Sequence, residues 1–270
     1  MDIILRERHG VPFYACDHPA WAGAAHGFST RLGGVSSPPW DSMDLGANRG
    51  DDPANVAENF RRFCAALGTD PAALVKNRQV HSARIRLVTK GDVMAHPAAP
   101  GVFEADGLVT DQPGLCLTVF SGDCIPVLLY DPAARCVAAA HAGWRGTASA
   151  IGPKTVAAMV ENFGCDPKNI RAAIGPNIGF CHFETDSDVP EALIAAFGDE
   201  VEQFIRKSGE KYYVNLKEIN ALILRRAGVT HIDISESCTV CEHTRFWSHR
   251  YTKGQRGSQG ALIVCKEGTK

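Results

Sequence analysis

The sequence predicts a mixed α/β (α+β) fold in a single compact domain, and three observations support this prediction. Short apolar runs bounded by turn residues, which are typical of strands, alternate with longer segments of helical periodicity along the whole chain. Such interleaving favours sheets covered by helices. No linker, block of charge or internal repeat divides the 270 residues. We therefore expect residues 1–270 to form one domain.

The composition excludes several classes of protein. Hydrophobic residues make up 45% of the chain and charged residues 21%, and the net charge of −2 argues against non-specific binding to nucleic acid or to membranes. The apolar runs are too short to span a bilayer. The N-terminal stretch MDIILRERHG lacks the features of a signal peptide. Ten cysteines without such a signal indicate a reducing compartment, so we expect a cytoplasmic location.

The first region of the chain, to about Phe28, is predicted to form one or two strands. The loop that follows contains Arg31, Gly33, Gly34 and Ser36. A cationic side chain beside flexible glycines and a hydroxyl could bind an anion, although a simple turn would have the same composition.

A helix is predicted to follow this loop. Asp52 and Pro53 are typical of a helix start, an apolar stripe with helical spacing follows, and Gly68 is a suitable end. The stripe indicates a core-facing helix without a functional role.

The stretch from Gln79 to Thr89 alternates well enough to predict a strand, with His81 at its start. In this register His81 shares the apolar face with Ala83 and Ile85. A single histidine in such a place is normally a core-edge residue bonded to a backbone carbonyl. A functional role would require other ligands close by.

The central stretch, Ser121–Thr147, predicts a β-hairpin. The apolar runs Ile125–Tyr130 and Cys136–Ala140 flank a five-residue segment with turn chemistry. Cys124 directly precedes the first run and His141 directly follows the second. Because the chain returns antiparallel, the thiol and the imidazole should meet at one edge of a sheet.

A helix is predicted directly after His141, over about Thr147 to Phe163, and it should end at Gly164. Gly143 and Gly146 allow a tight turn and a close backbone approach. With Arg145 nearby, the free N–H groups of the helix start would favour an anion.

The rest of the chain predicts further alternating elements. Strands are expected at Ile170–Ile174, Tyr212–Leu216, His231–Ser235 and Ala261–Cys265, and helices at Pro190–Phe197 and from Leu216 to Arg226. The Cys238-Thr239-Val240-Cys241 motif could be redox-active or metal-binding. Since neither a second CxxC nor a spaced histidine pair accompanies it, a structural or unimportant role is favoured.

The spacing of Cys124 and His141 leaves two chemistries open. The pair could act as nucleophile and base. With one more histidine it could instead form a three-ligand metal site, and a fourth open position is the pattern of a catalytic zinc. The residues alone do not decide between these alternatives.

The stretch GDCIPVLLYD…AAAHAGWRGT resembles the central signature of the polyphenol-oxidase (laccase-domain) family, whose members are assigned as purine nucleoside phosphorylases. The resemblance covers nearly the whole chain, because STRLGGVS, QVHSARI, DGLVT, AIGPNIG and FWSHRYTKGQRG also match. Small departures occur at Asn177, at His249 and at Ser121-Gly122. None of these departures removes a candidate metal ligand, so they affect the expected substrate preference more than the expected reaction class.

The resemblance implies layered α/β/β/α architecture and one zinc ion bound by His81, Cys124 and His141, with zinc favoured over copper. It also implies phosphorolysis of adenosine, inosine and S-methyl-5′-thioadenosine, together with deamination of adenosine. Purine nucleosides and phosphate would be the partners, and both a monomer and a small homo-oligomer remain compatible with the sequence.

The remaining site residues are assigned as hypotheses on this basis. Asp123 is expected to transfer protons and Arg145 to assist catalysis. Phosphate and substrate are expected to bind a set of six residues, Arg31, Gly33, Gly34, Ser36, Gly146 and Arg250, with Arg256 as an additional weaker candidate.

Two other enzyme classes and one non-enzymatic role compete with this interpretation. A multicopper phenol oxidase requires paired histidine ligands, and none of the ten histidines lies in a His-x-His pair. A cysteine hydrolase would use Cys124 activated by His141 without a metal. A binding protein with a purely stabilising zinc would turn over no nucleoside.

Overall fold

The computed structural model describes residues 3–267, which contain fifteen strands and six α-helices. The strands are β1 Ile3–Arg8, β2 Val11–Cys16, β3 Ala24–Ser29, β4 Leu74–Lys76, β5 Ile85–Leu87, β6 Gly107–Thr110, β7 Cys116–Ser121, β8 Ile125–Asp131, β9 Cys136–Ala142, β10 Arg171–Ile174, β11 Glu184–Thr185, β12 Ile205–Ser208, β13 Lys211–Val214, β14 His231–Ile234 and β15 Gln259–Cys265. The helices are α1 Pro53–Leu67, α2 Trp144–Ala148, α3 Ile151–Phe163, α4 Asp188–Phe197, α5 Leu216–Arg226 and α6 His249–Thr252.

Two six-stranded sheets form the centre of the molecule. The first has the order β1-β2-β3-β15-β7-β4 and the second β14-β10-β8-β9-β6-β5, while β11, β13 and β12 form a small third sheet. Side chains from both large sheets share one core, α1 covers the outer face of the first sheet, and α3 and α5 cover that of the second. The predicted mixed α/β fold with α/β/β/α layers is therefore confirmed.

The predicted hairpin forms as β8–β9, and it lies at the middle of the second sheet. Its register pairs Ile125 with Ala142 and Pro126 with His141. Both strands are fully buried because helices cover one face of the sheet and the first sheet covers the other. The hairpin thus brings Cys124 and His141 together at one end of two apolar strands.

Helix α1 begins and ends where the sequence predicts. The Asp52 carboxylate accepts a hydrogen bond from Ala54 N at 2.8 Å, and Pro53 is the first helical residue. Gly68 ends the helix with a φ of 72°, a left-handed conformation that glycine adopts without strain. The apolar side of α1 packs on the first sheet through Phe60 and Phe63.

Three local predictions are wrong. The first region forms three strands, β1 to β3, instead of one or two. Only Ile85–Leu87 of the stretch Gln79–Thr89 forms a strand, and His81 lies in an exposed loop with a φ of 59° rather than on an apolar strand face. The helix predicted over Thr147–Phe163 is two helices, α2 and α3, because Ala150 adopts a left-handed φ of 60° between them.

His26 on β3 predicts a pH dependence of stability. Burial lowers the pKa of His26 from 6.5 to about 4, and its Nε2 accepts a hydrogen bond from Cys16 N at 3.0 Å. Between pH 6.5 and 4 the unfolded chain therefore binds a proton that the folded protein excludes. His26 should contribute a loss of about 3 kcal/mol of stability as the pH falls through this range.

Urea unfolding of the wild type and of His26→Gln at pH 7 and pH 4.5 measures this contribution. The variant should lose less stability than the wild type between the two pH values, whatever its stability at pH 7. Equal losses in both proteins would contradict the assignment.

Candidate metal centre and substrate pocket

His81, Cys124 and His141 come together at the end of the β8–β9 hairpin. The Cys124 sulfur lies 3.8 Å from His81 Nε2, and the candidate ligand atoms of all three side chains lie within 4.8 Å of one another. The two imidazole rings meet edge to face with their centroids 4.9 Å apart. Spacings of this size allow one ion to contact all three atoms.

Each ligand comes from a different chain segment. Cys124 directly precedes β8, His141 is the penultimate residue of β9, and His81 belongs to the loop before β5. Gln79 anchors that loop to β7, because its side-chain amide donates to Phe120 O at 2.8 Å and accepts from Phe120 N at 2.6 Å. The left-handed backbone of His81 is thus fixed by its neighbours.

The buried carboxylate of Asp106 organises the centre. It accepts hydrogen bonds from His81 N at 3.0 Å and from both the backbone N and the hydroxyl of Ser82 at 2.7 Å. The same carboxylate lies 2.9 Å from His141 Nδ1. This contact orients the ring so that Nε2 is the free ligand atom, as carboxylate–histidine pairs do in metal sites.

Gly143 provides space beside the ligands. A Cβ atom at this position would lie 2.8 Å from His81 Cδ2 and 3.2 Å from the Cys124 sulfur. The φ of Gly143 is an ordinary −66°, so close approach rather than backbone conformation explains the glycine here.

The ligands strongly affect one another's ionisation. Burial opposes ionisation of the Cys124 thiol, but His141 and His81 outweigh it and lower the pKa of Cys124 to about 6. Burial likewise opposes protonation of His141, but Cys124 and Asp106 outweigh it and raise the pKa of His141 to about 9. The centre therefore favours a thiolate, the form that binds metals and acts as a nucleophile.

A pocket of about 330 Å³ opens onto this centre, a volume within the range of small-molecule sites. Polar and cationic groups line it together with the three ligands, among them Arg49, Asn77, Arg78, Gln79 and Arg256. A second cavity of about 340 Å³ lies beside β1–β3 around Trp21, and none of the three ligands lines it. The pocket at the hairpin is therefore the candidate active site.

Arg256 is a buried cation in the pocket wall. Within the part of the chain that the structure describes, its side chain donates to Gly257 O at 2.7 Å and to Ser258 Oγ at 3.4 Å, while its Nε has no partner. Burial and then repulsion from Arg49 lower the pKa of Arg256 to about 10, so it stays charged at neutral pH. A buried cation with incomplete hydrogen bonding favours an anionic ligand.

The predicted loop around Arg31 is engaged in internal contacts. The Arg31 side chain donates to Asp41 O and His243 O at 3.0 Å and stacks 4.0 Å over Trp247. Ser36 donates to the Asp51 carboxylate. Gly33 and Gly34 pack against backbone atoms of neighbouring loops, and these four residues lie outside the lining of the hairpin pocket.

Arg145, Gly146 and Arg250 also lie outside that lining, whereas the weaker candidate Arg256 lies in it. Arg145 is exposed and stacks 4.1 Å over Trp144, while Gly146 is buried against Ser82 O. Arg250 donates from its two terminal nitrogens to His182 O at 2.9 Å and to Glu184 O at 2.8 Å.

Asp123 is adjacent to Cys124 but turned away from the pocket. With a φ of 96°, it directs one carboxylate oxygen to the Thr239 hydroxyl at 2.6 Å and the other to Arg250 N at 2.7 Å. These contacts fix the backbone that carries Cys124. A role of Asp123 in proton transfer stays a prediction.

The donor set suits one metal ion of borderline softness. Two imidazole nitrogens and one thiolate are common zinc ligands, and three protein ligands leave one tetrahedral position for substrate or water. His81 and Cys124 face the pocket, so that position is accessible. The residues present therefore fit a catalytic zinc.

Known proteins are similar to this chain in sequence and in structure over most of its length. Purine nucleoside phosphorylase YlmD of Geobacillus stearothermophilus is 38% identical over 271 residues, which cover 98% of each chain. Purine nucleoside phosphorylase YfiH of Escherichia coli is 38% identical over 238 residues, which cover 87% of this chain and 93% of that protein. The crystal structure of the Geobacillus YlmD superposes with a TM-score of 0.91 at 37% identity, covering 98% of this chain and 100% of the other.

A family model matches residues 25–266, which include all three candidate ligands and the pocket arginines. The chain therefore belongs to the family described as multi-copper polyphenol oxidoreductase laccase.

Proposed function

We propose that this protein is a zinc-dependent purine nucleoside phosphorylase that also deaminates adenosine. The observation that supports it best is the combination, in one pocket, of a three-ligand N/S centre with an open side and a buried, incompletely paired arginine. The names of the relatives with 38% identity support the same reaction. Adenosine, inosine and S-methyl-5′-thioadenosine are the proposed nucleosides, with inorganic phosphate as cosubstrate.

In this proposal His81, Cys124 and His141 hold the zinc ion. When bound, zinc would act as a Lewis acid that stabilises developing negative charge and makes a bound water more acidic. Asp106 holds the loop of His81 and the ring of His141 in fixed positions. The ligands therefore need little rearrangement to bind the ion.

Phosphorolysis also requires a phosphate held near C1′ of the ribose. A phosphate oxygen forms the new bond to C1′, the bond to the purine nitrogen breaks, and the base leaves with its bonding electrons. Arg256 and Arg49 line the same pocket as the metal ligands, so they can fix the phosphate by charge-assisted hydrogen bonds. Arg31 and Arg145 remain the alternative phosphate ligands proposed from the sequence.

Arg256→Gln should raise the KM for phosphate about 10- to 100-fold, because it removes a charged donor from the pocket. Steady-state phosphorolysis at varied phosphate, with adenosine saturating, measures this effect. Arg61→Gln is the matched control, since Arg61 is an exposed arginine on α1 paired with Glu58 and should leave the KM unchanged. A larger effect from Arg31→Gln or Arg145→Gln than from Arg256→Gln would place the phosphate at Arg31 or Arg145 instead.

Incubation of the purified protein with adenosine, with and without phosphate, tests the reaction itself. Chromatography should show adenine and ribose 1-phosphate only when phosphate is present, and inosine without it. Absence of adenine under all conditions would overturn the phosphorylase assignment. Absence of inosine alone would overturn the deaminase activity.

Two competing functions make different predictions. A copper-dependent polyphenol oxidase, as the family description suggests, would contain stoichiometric copper and oxidise phenols. A Cys124 hydrolase is supported by the lowered pKa of the thiol beside His141. Such an enzyme would keep its activity after chelation and would lose it on alkylation of Cys124.

The proposed setting of the reaction is the cytoplasm. None of the ten cysteines forms a disulfide within the described residues, which fits a reducing compartment. No helix within residues 3–267 is long and apolar enough to cross a bilayer.

A further inference from the structure

We propose that the protein binds a second, structural zinc ion through Cys181, His182, Cys238 and Cys241. These four side chains lie beyond the substrate pocket, in the loop after β10 and in the segment after β14. Their candidate ligand atoms all lie within 4.8 Å of one another. The CxxC motif, for which the sequence alone favoured a structural or unimportant role, thus acquires two further ligands from a distant segment.

The separations of the ligand atoms match a tetrahedral zinc site. With Zn–S bonds of about 2.3 Å and Zn–N bonds of about 2.0 Å, tetrahedral geometry places sulfur atoms about 3.8 Å apart and sulfur and nitrogen about 3.5 Å apart. The Cys181 and Cys241 sulfurs are 3.6 Å apart. His182 Nδ1 lies 3.1, 3.7 and 3.4 Å from the sulfurs of Cys181, Cys238 and Cys241.

The surrounding backbone is shaped for thiolates. Gly179 N donates a hydrogen bond to the Cys238 sulfur at 3.2 Å. A Cβ atom on Gly179 would lie 3.2 Å from the Cys181 sulfur and 3.0 Å from Cys238 Cβ, so the loop approaches the cluster closely where it has no side chain. Backbone donors around a cysteine ligand stabilise its charged form.

The cluster joins segments that also support the active site. Thr239, between the two CxxC cysteines, donates to Asp123 next to Cys124. Arg250 binds the carbonyl groups of His182 and Glu184 and donates its own N–H to Asp123. An ion with four protein ligands has no open position, so its role here is to fix these segments and not to catalyse.

A disulfide between Cys181 and Cys241 is the competing assignment. Their sulfurs are close enough for oxidation after a small movement. However, a disulfide would use only two of the four converging groups and would leave the contacts of His182 and Cys238 unexplained. The two assignments differ in metal content and in mass.

Metal analysis of the full-length protein tests the proposal. Protein purified with zinc should contain two ions per chain, with all thiols reduced in the intact mass. Cys241→Ser, a change at an exposed position, should reduce the content to one ion, and Cys124→Ala should also leave one. Cys165→Ala is the matched control, because it removes a buried thiol outside both clusters and should retain two ions.

Cobalt substitution gives a second readout that does not depend on enzyme activity. The wild type with two cobalt ions has four thiolate ligands, of which three belong to the proposed site. Cys241→Ser should therefore lose most of the thiolate-to-cobalt charge-transfer absorption, whereas Cys124→Ala should lose the smaller part. One ion in the wild type that Cys241→Ser still binds, a mass lower by two hydrogens, or two ions retained in Cys241→Ser would each overturn the proposal.

Discussion

Replacement of Cys124 by alanine is expected to lower kcat/KM for adenosine phosphorolysis by about 1,000-fold. The variant loses the only thiolate of the trio and keeps two imidazoles, which bind zinc weakly and without the fixed geometry of three ligands. A catalytic metal supplies several kcal/mol of transition-state stabilisation, and about 4 kcal/mol corresponds to that factor. Steady-state kinetics with zinc analysis of the same sample measures the effect.

The control for this variant is Cys165→Ala. Cys165 is a buried core cysteine just after the end of α3, and it belongs to neither metal cluster. This control should retain wild-type kcat/KM. Metal-free Cys124→Ala should unfold cooperatively near the temperature of the metal-free wild type, because Cys124 is partly exposed to the pocket. Near wild-type turnover by well-folded Cys124→Ala would remove this residue from the mechanism.

Asp106→Asn should have the largest effect on stability. The carboxylate is fully buried. It accepts hydrogen bonds from the backbone N–H groups of Val80, His81 and Ser82 and from the Ser82 hydroxyl. It also contacts His141 Nδ1. Burial opposes its ionisation, but hydrogen bonds from His141 and Ser82 outweigh it and lower the pKa of Asp106 to about 2. Breaking a buried pair of this kind costs about 3–5 kcal/mol. Zinc affinity should fall about 10- to 100-fold as well.

Asp131→Asn is the matched control for Asp106→Asn. Asp131 is also fully buried, and one of its oxygens accepts hydrogen bonds from Ala133 N and Ala134 N in the β8–β9 turn, but it contacts no histidine within the described residues. Urea unfolding and zinc titration of both variants separate the two roles. Loss of stability in Asp131→Asn with unchanged zinc affinity is expected, whereas unchanged zinc affinity in Asp106→Asn would contradict the account.

The hairpin that carries two of the ligands was predictable from the sequence. Two apolar runs around Asp131-Pro132 fix an antiparallel register, and that register alone places Cys124 near His141. The limits of α1 were predictable for a similar reason, because an acidic N-cap, a proline and a terminal glycine act locally. Local chemistry decides these elements.

The loop of His81 was not predictable, because long-range contacts override its local pattern. Alternation over Gln79–Thr89 favours a strand, but Gln79 binds Phe120 on the other sheet and Asp106 binds three successive backbone N–H groups. In the sequence Asp106 is only the acidic half of a turn-like Asp-Gly. Its position before the buried strand β6 was a weak sign of a functional carboxylate.

The sequence also did not predict well which arginines line the pocket. Sequence motifs favoured Arg31 and Arg145, which stand beside glycines, and gave Arg256 only as a weaker candidate. The structure places Arg49 and Arg256 in the pocket and engages Arg31 with Asp41, His243 and Trp247. Arg49 and Arg256 are 207 positions apart and reach one pocket through tertiary contacts, such as the pairing of β15 with β3 and β7, which sequence patterns do not specify.

Reconstitution of the metal-free protein tests the central claim most directly. Chelated protein should release no adenine from adenosine and phosphate, and addition of Zn²⁺ should restore phosphorolysis in the wild type but not in Cys124→Ala. Full turnover by the chelated protein, or recovery with copper but not with zinc, would contradict a zinc centre at His81, Cys124 and His141.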